Sequence, residues 1–256
     1  MPDYALFIGN IKRKTGIDLS LYKEAQMKRR LTSLYEKRGF ADFIEYYNAI
    51  HNDKVLLEEF LDRMTINVSE FYRNAQRWNV LEKKIFPKLL SGNKKLKIWS
   101  AACSTGEEPY SIALVLSSHV PLLDISILAT DLDLGVIERA KVGLYPERAL
   151  KEVPPTMVKQ YFVNEGHFYQ VKDEIKRTVT FKQQNLLEDR YDSGFDLIVC
   201  RNVMIYFTEE AKHQIYMNFS KSLKPGGILF VGSTEQIFNP AKYGFESEDT
   251  FFYKKI

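Results

Sequence analysis

The chain has 256 residues, 45% hydrophobic and 27% charged, a globular balance that excludes a disordered or collagen-like protein. Its apolar runs, such as Leu197–Cys200 and Ile228–Val231, fall far short of the ~20 residues of a membrane-spanning helix, so no membrane insertion is expected. The net charge of +3 hides an asymmetry: residues 1–40 carry nine Lys/Arg against four Asp/Glu, and residues 41–80 carry four against seven. A basic N-terminal segment hints at an acidic partner without naming its class. The opening MPDYALFIGNIKRK has no signal-peptide core, and Cys103 and Cys200 cannot build a disulfide framework. A reduced, cytoplasmic protein is therefore the expectation.

Residues 1–90 read as helices only. Met27, Leu31, Leu34 and Tyr35 recur at helical spacing within Leu21–Arg38, and Gly39 stops that helix. Ala41–Asn52 and Lys54–Arg63 give two shorter helices, and Asn74–Leu90 gives another that Pro87 is expected to end. Between them, Thr65–Asn74 mixes polar and aromatic residues with no helical face and reads as a linker.

After Lys94 the pattern changes. Strand-like runs at Leu96–Ala101, Ile125–Thr130, Thr178–Gln183, Phe195–Cys200 and Gly227–Gly232 alternate with helices at Glu107–Ser118, Asp133–Val142 and Thr208–Leu223. Such alternation implies a parallel sheet covered on both faces, with ligands at the carboxyl ends of the strands. Residues 143–177 interrupt the rhythm with a stretch far longer than the usual ~2–6 residues, and HFYQVKDEIKRTVTF within it alternates like a small hairpin.

Three strand ends carry the chemistry. The first turn, Ala101 to Pro109 (AACSTGEEP), is rich in small residues but is not GxGxxG. Glu107 and Glu108 at the following helix N-terminus would repel a diphosphate and favour an ammonium or sulfonium; complementing the helix dipole alone would also account for them. Asp131 ends the second strand 25 residues after Gly106, close to the ~20 residues separating turn and ribose-binding acid in nucleotide-binding βαβ units. A nucleoside acid, an acid-bearing turn and no phosphate loop fit S-adenosylmethionine better than NAD or ATP. Past the fourth strand, Cys200-Arg201-Asn202-Val203-Met204-Ile205-Tyr206-Phe207 lacks the [Asn/Asp]-Pro-Pro-aromatic motif expected for methylation of an exocyclic amine, which argues against nucleic acid. His51, His119, His167 and His213 stand in no catalytic arrangement, and no metal is expected.

At these residues the resemblance becomes specific. TINVSEFYRN, IWSAACSTGEEPYSIA, CRNVMIYF and LKPGGILFVGSTE, four motifs in order over nearly the whole chain, resemble the CheR-type chemotaxis receptor methyltransferases, which are protein-glutamate O-methyltransferases. The resemblance implies an α/β fold: a class I S-adenosylmethionine-dependent methyltransferase (Rossmann-like) sheet with an N-terminal all-α domain and a small inserted β-subdomain. Residues 1–73 would form the receptor-docking helical domain and linker motif. Residues 74–256 would form the methyltransferase domain, with the insertion at about 145–177.

The implied reaction moves a methyl group from S-adenosylmethionine to glutamates on the cytoplasmic helical bundle of methyl-accepting chemoreceptors, leaving S-adenosylhomocysteine and serving sensory adaptation. The resemblance implies cofactor contacts at Asn67, Ser69, Arg73, Glu108, Asp131, Asn185, Leu186, Arg201 and Asn202, and a reacting centre flanked by Arg73 and Tyr206. Arg73 would orient either the substrate carboxylate or the cofactor's own. Lys23, Arg30 and Lys37, seven residues apart on one helix stripe, are the expected docking cations for the acidic receptor bundle. One departure stands out. Family members that tether to a receptor C-terminal peptide carry a longer, Gly-rich loop where this chain reads Val163-Asn164-Glu165-Gly166-His167-Phe168, which argues against tethering here.

Overall fold

A computed structural model describes residues 2–65, 67–92 and 95–256. Ile66 of the linker motif and Lys94, where the periodicity changes, lie outside the described residues. The chain groups into two compact units, one of Met1–Ile66 with Val203–Ile215, the other of Asn67–Asn202 with Tyr216–Ile256. Among the described residues, no helix is long and apolar enough to cross a membrane.

The first unit is built on α1 (Pro2–Thr15), α2 (Glu24–Lys37), α3 (Phe43–Asn52) and α4 (Lys54–Met64). Local chemistry sets the helix starts. Asp42 accepts hydrogen bonds from the Ile44 and Glu45 amides, and Asp53 does the same for Val55 and Leu56, satisfying donors that a helix N-terminus leaves open. Aromatic rings fill the interior: Phe7 lies 5.1 Å from Phe43, 6.0 Å from Phe60 and 6.3 Å from Tyr46, centroid to centroid. α2 starts three residues later than its periodicity suggests. Asp18 caps a short 3-10 turn at Leu19–Leu21, and Tyr22 is drawn into an antiparallel bridge with Phe207. The Lys23 amide bonds the Tyr206 carbonyl (2.9 Å) and the Thr208 amide bonds the Leu21 carbonyl (2.9 Å), so residues 203–208 are tied to the start of α2.

The second unit opens with α5 (Ala75–Val80), a π-helical turn at Leu81–Ile85 and α6 (Phe86–Leu90). Pro87 does not end this helix, contrary to expectation. A proline cannot donate to the carbonyl of the preceding turn and crowds it. The wider π turn just before Pro87 gives the ring room, and the helix continues to Leu90.

The sheet follows as β1 (Lys97–Ala101), α7 (Glu107–Leu116), β2 (Ser126–Asp131) and α8 (Leu134–Val142). The insertion supplies β3 (Leu144–Pro146), α9 (Pro155–Tyr161), β4 (Phe162–Glu165), β5 (Phe168–Val171) and α10 (Asp173–Lys176). The chain then gives β6 (Val179–Gln183), β7 (Phe195–Cys200), α11 (Glu209–Ser222), β8 (Leu223–Val231), β9 (Phe245–Asp249) and β10 (Phe252–Lys255). The main sheet runs β6-β2-β1-β7-β8-β10-β9. The first five strands in that order pair in parallel, and the last two pair antiparallel. β1 and β7 are neighbours although β2 to β6 intervene in sequence. The order therefore reverses at β1/β7, and a crevice opens at their carboxyl ends.

Two expectations are corrected. The hairpin in the insertion pairs β4 with β5, residues 162–171, and the downstream run instead forms α10 and then β6 of the main sheet. The hairpin closes tightly through Gly166 and His167, with Gly166 at φ +78°. No strand is expected beyond Gly232, yet β9 and β10 cover the sheet edge. Their sequences, FESED and FYKK, offer too few apolar residues to announce a strand.

Candidate active site

Three carboxyl-end segments and the linker converge in the second unit. The turn after β1 is tightly coiled: Ala102, Ser104 and Gly106 all hold left-handed backbone angles (φ +59°, +49° and +95°). Its amides are nonetheless satisfied. Cys103 donates to the Thr130 carbonyl (2.9 Å), Gly106 to the Cys103 carbonyl (3.1 Å) and Ser104 to Asp131 Oδ2 (2.8 Å). Asp131 also accepts from the Asp133 amide at Oδ1 (3.0 Å). Burial raises the Asp131 carboxyl above its ordinary value, against the pull of those amides.

The two glutamates at the start of α7 do different work. Glu107 accepts from Thr105 Oγ1 (2.7 Å) and interacts with the Ser69 hydroxyl of the linker, and burial raises its pKa. Glu108 accepts from Ser100 Oγ (2.8 Å) and faces Arg201, with Oε2 4.0 Å from a guanidinium nitrogen. Burial pushes Glu108 up to about 7, although Arg201 and Ser100 favour its anion.

Arg201 is the hub beneath the crevice. Its guanidinium lies over the rings of Phe230 (4.7 Å) and Trp78 (5.6 Å) and donates to the Arg73 carbonyl (2.7 Å). Trp78 Nε1 donates to the same carbonyl (3.0 Å). These bonds hold the linker in its kink, where Tyr72 and Asn74 both take left-handed angles. The Arg73 side chain is half-buried and donates to the Val68 carbonyl (3.2 Å). Asn202, itself at φ +61°, is held by its amide to Glu235 Oε2 (2.6 Å), which also takes the Gly232 amide (2.8 Å). A side chain at Gly232 would collide with that carboxylate.

The remaining expected contacts sit nearby in the same unit. Asn67 donates to Asp133 Oδ2 (3.1 Å), and Asp133 caps α8. Gln184 bonds the Asp131 carbonyl (2.9 Å), which places Asn185 and Leu186 just beyond the end of β2. Asn185 is engaged with Leu187 and Asp189, and Leu186 is buried. Asn67 and Asp131 thus share Asp133, Arg201 joins the Arg73 carbonyl to Glu108, Ser69 meets Glu107, and Asn202 is held by Glu235.

Tyr206 belongs to the first unit, half-buried in a 3-10 turn at Met204–Tyr206, with the Arg30 guanidinium 5.5 Å from its ring centroid. Arg30 also donates to the Met64 carbonyl (2.5 Å), so it fastens elements of its own unit and is half-buried, as is Lys23. Of the three expected docking cations, Lys37 stands exposed.

Sequence reasoning missed Trp78, Ser100 and Glu235, and also Tyr145, whose hydroxyl donates to the Thr105 carbonyl of the turn. Glu235 closes the LKPGGILFVGSTE motif, but nothing local marks it as the cap of a turn 33 residues away.

The residues suit a nucleoside bearing a positive centre. Buried carboxylates crowd the strand ends where a diphosphate would need donors. Ser104 Oγ and Arg201 Nε are buried without a protein partner, leaving donors for a ligand's hydroxyl or carboxylate.

Comparison with known proteins agrees with this chemistry. Residues 2–65 match the CheR methyltransferase all-alpha domain, and residues 67–252 match the CheR methyltransferase SAM binding domain. The chain is 47% identical over 254 residues to the chemotaxis protein methyltransferase of Listeria innocua, covering 99% of this chain and 97% of that one. It is 36% identical over 236 residues to that of Borreliella burgdorferi, covering 87% and 83% respectively. The chain therefore belongs to the CheR family of chemotaxis protein methyltransferases, enzymes that depend on S-adenosylmethionine.

Proposed function

We propose that the enzyme methylates glutamate side chains on the cytoplasmic helical bundle of chemoreceptors, forming methyl esters and S-adenosylhomocysteine for sensory adaptation. The observation that carries this reading is the set of carboxylates at the strand ends, Asp131, Glu107 and Glu108, with Arg201 beside them: carboxylates for a cationic nucleoside, and the unpartnered Arg201 Nε as a donor for a carboxylate.

S-adenosylmethionine supplies, when bound, a methyl group made electrophilic by a positive sulfur. Asp131 accepts the ribose hydroxyls, with the Ser104 and Asp133 amides fixing its orientation. Asn67, Ser69, Asn185, Leu186 and Asn202 complete the nucleoside contacts. Glu108 adds negative charge to the crevice as it ionises near neutral pH, where it faces Arg201. Arg73 holds a carboxylate through charge-assisted hydrogen bonds. Tyr206 is the aromatic residue proposed to act beside the reacting methyl group.

No general base is needed, because a glutamate of pKa ~4.3 is already ionised at neutral pH. Alignment and exclusion of water supply the rate, since opposite charges that cancel in the transition state are better stabilised by water in the ground state. The basic N-terminal segment, residues 1–40, docks on the acidic receptor surface, with Lys37 among the contacts.

Methyl transfer to a purified receptor cytoplasmic fragment, with the sites mapped by mass spectrometry, tests the proposal. Labelled glutamate is the expected product, and label on RNA or on no substrate overturns it. Arg73→Ala and Tyr206→Phe are expected to lower turnover; unchanged turnover with unchanged cofactor affinity removes both from the reacting centre. Lys37→Glu is expected to raise KM at low salt, and the effect is expected to fade as salt screens it.

A further inference from the structure

The insertion after α8 has no part in the function described so far, yet one of its residues reaches the crevice. Tyr145, the middle residue of β3, is buried, and its hydroxyl donates to the Thr105 carbonyl at 2.6 Å. Thr105 lies in the coiled turn after β1, and its own hydroxyl is bound by Glu107, which also meets Ser69 of the linker.

The ring of Tyr145 makes a second contact. It packs edge-on against Phe71 of the linker (4.9 Å, 86°), and Phe162 of β4 packs on the same Phe71 ring (5.5 Å, 76°). The insertion therefore grips the turn through a hydrogen bond and the linker through two rings. The approach leaves no spare room. A Cβ on Gly106 would sit 3.0 Å from the Tyr145 hydroxyl and 2.8 Å from Ala140 Cβ.

The turn needs such a grip. Left-handed angles at Ala102 and Ser104 are strained for residues bearing a Cβ, and strain of this kind persists only where the surroundings enforce it. The amides of Cys103, Ser104 and Gly106 are held from β2 and from within the turn, whereas the Thr105 carbonyl is held by the insertion. Burial and the neighbouring Glu107 raise the Tyr145 pKa, so its hydroxyl remains a donor.

We propose that Tyr145 is a positioning residue for the cofactor turn, and that the inserted β-subdomain is a brace that clamps this turn and the Phe71 linker in their binding geometry. The proposal rests on the reading that the cofactor occupies the crevice beside this turn.

Calorimetric titration of S-adenosylhomocysteine into the full chain tests it, together with hydrogen exchange of residues 103–107. Tyr145→Phe removes the hydroxyl and keeps the ring. The expected result is a Kd raised about three- to tenfold, the range of one hydrogen bond. Exchange at 103–107 should quicken, with kcat at saturating cofactor unchanged. Tyr169→Phe, on the neighbouring strand β5 with its hydroxyl on Asn164, serves as control and is expected to change neither quantity.

An unchanged Kd and unchanged exchange in Tyr145→Phe overturn the brace. An equal loss in Tyr169→Phe also overturns it, because the effect would then be general loosening of the insertion. Failure of the parent chain to bind S-adenosylhomocysteine would instead reject the placement of the cofactor, while exchange at 103–107 would still judge the brace.

Discussion

A buried carboxyl whose pKa stands near neutrality makes stability depend on pH with a calculable slope. Glu108 is pushed up to about 7 by burial, from 4.5 for the free group. Below pH 4.5 it is neutral in both folded and unfolded chains. Between 4.5 and 7 the unfolded chain has released the proton and the folded chain has kept it. Stability then falls with rising pH at about 1.4 kcal/mol per unit. The contribution is therefore fully present below pH 4.5 and is lost as pH rises through 7, a total of about 3 kcal/mol.

Glu108→Gln keeps an acceptor for Ser100 and removes the titration. Loss of the charge facing Arg201 gives this variant a fixed offset, which can be of either sign. The informative quantity is the change in the offset with pH. Urea denaturation of both proteins at intervals from pH 5 to 8 should show the difference moving in favour of the glutamine variant by about 2–3 kcal/mol. Parallel stability curves would refute the reasoning, since they would mean that Glu108 ionises alike in both states.

Three further outcomes are expected. Asp131→Asn cannot accept from both the Ser104 and Asp133 amides and loses its charge, so affinity for S-adenosylhomocysteine should fall about ten- to hundredfold by calorimetry, matching ~1.5–3 kcal/mol for a charged hydrogen bond. Gly106→Ala must adopt φ +95° against Ala140 and Tyr145, and should cost about 1–3 kcal/mol in chemical denaturation. Phe60→Ala empties a fully buried site between the rings of Phe7 and Tyr46, and should destabilise the first unit by about 3–5 kcal/mol, read as early loss of helical circular dichroism.

Much of the architecture is legible in the sequence because its causes are local. β7 occupies Phe195–Cys200 as expected, since a central parallel strand buried along its whole length shows an unbroken apolar run at Leu197–Cys200. The Glu107 helix start and the Asp131 strand end follow from acids and spacing, whereas the coiled turn before Glu107 is held by β2 and by Tyr145. The helix start at Lys54, as expected, depends on the aspartate immediately before it; the start at Phe43, two residues after the expected Ala41, is set by the Asp42 cap.

What the tertiary structure alone decided lies across long sequence separations. The basic stripe at Lys23, Arg30 and Lys37 is real as spacing, but only the fold turns Arg30 inward onto Tyr206 and the Met64 carbonyl. Arg201 reads as an edge residue of the fourth strand. Its stacking on Trp78 and Phe230, and its bond to a carbonyl 128 positions away, arise where β7, β8 and α5 meet. Tyr145 and Glu235 likewise act on backbone groups 40 and 33 positions distant. Periodicity and turn chemistry encode which face of an element is apolar and where it stops. They carry no term for which distant carbonyl a buried hydroxyl or guanidinium will satisfy, because that choice is made when the strands take their order in the sheet.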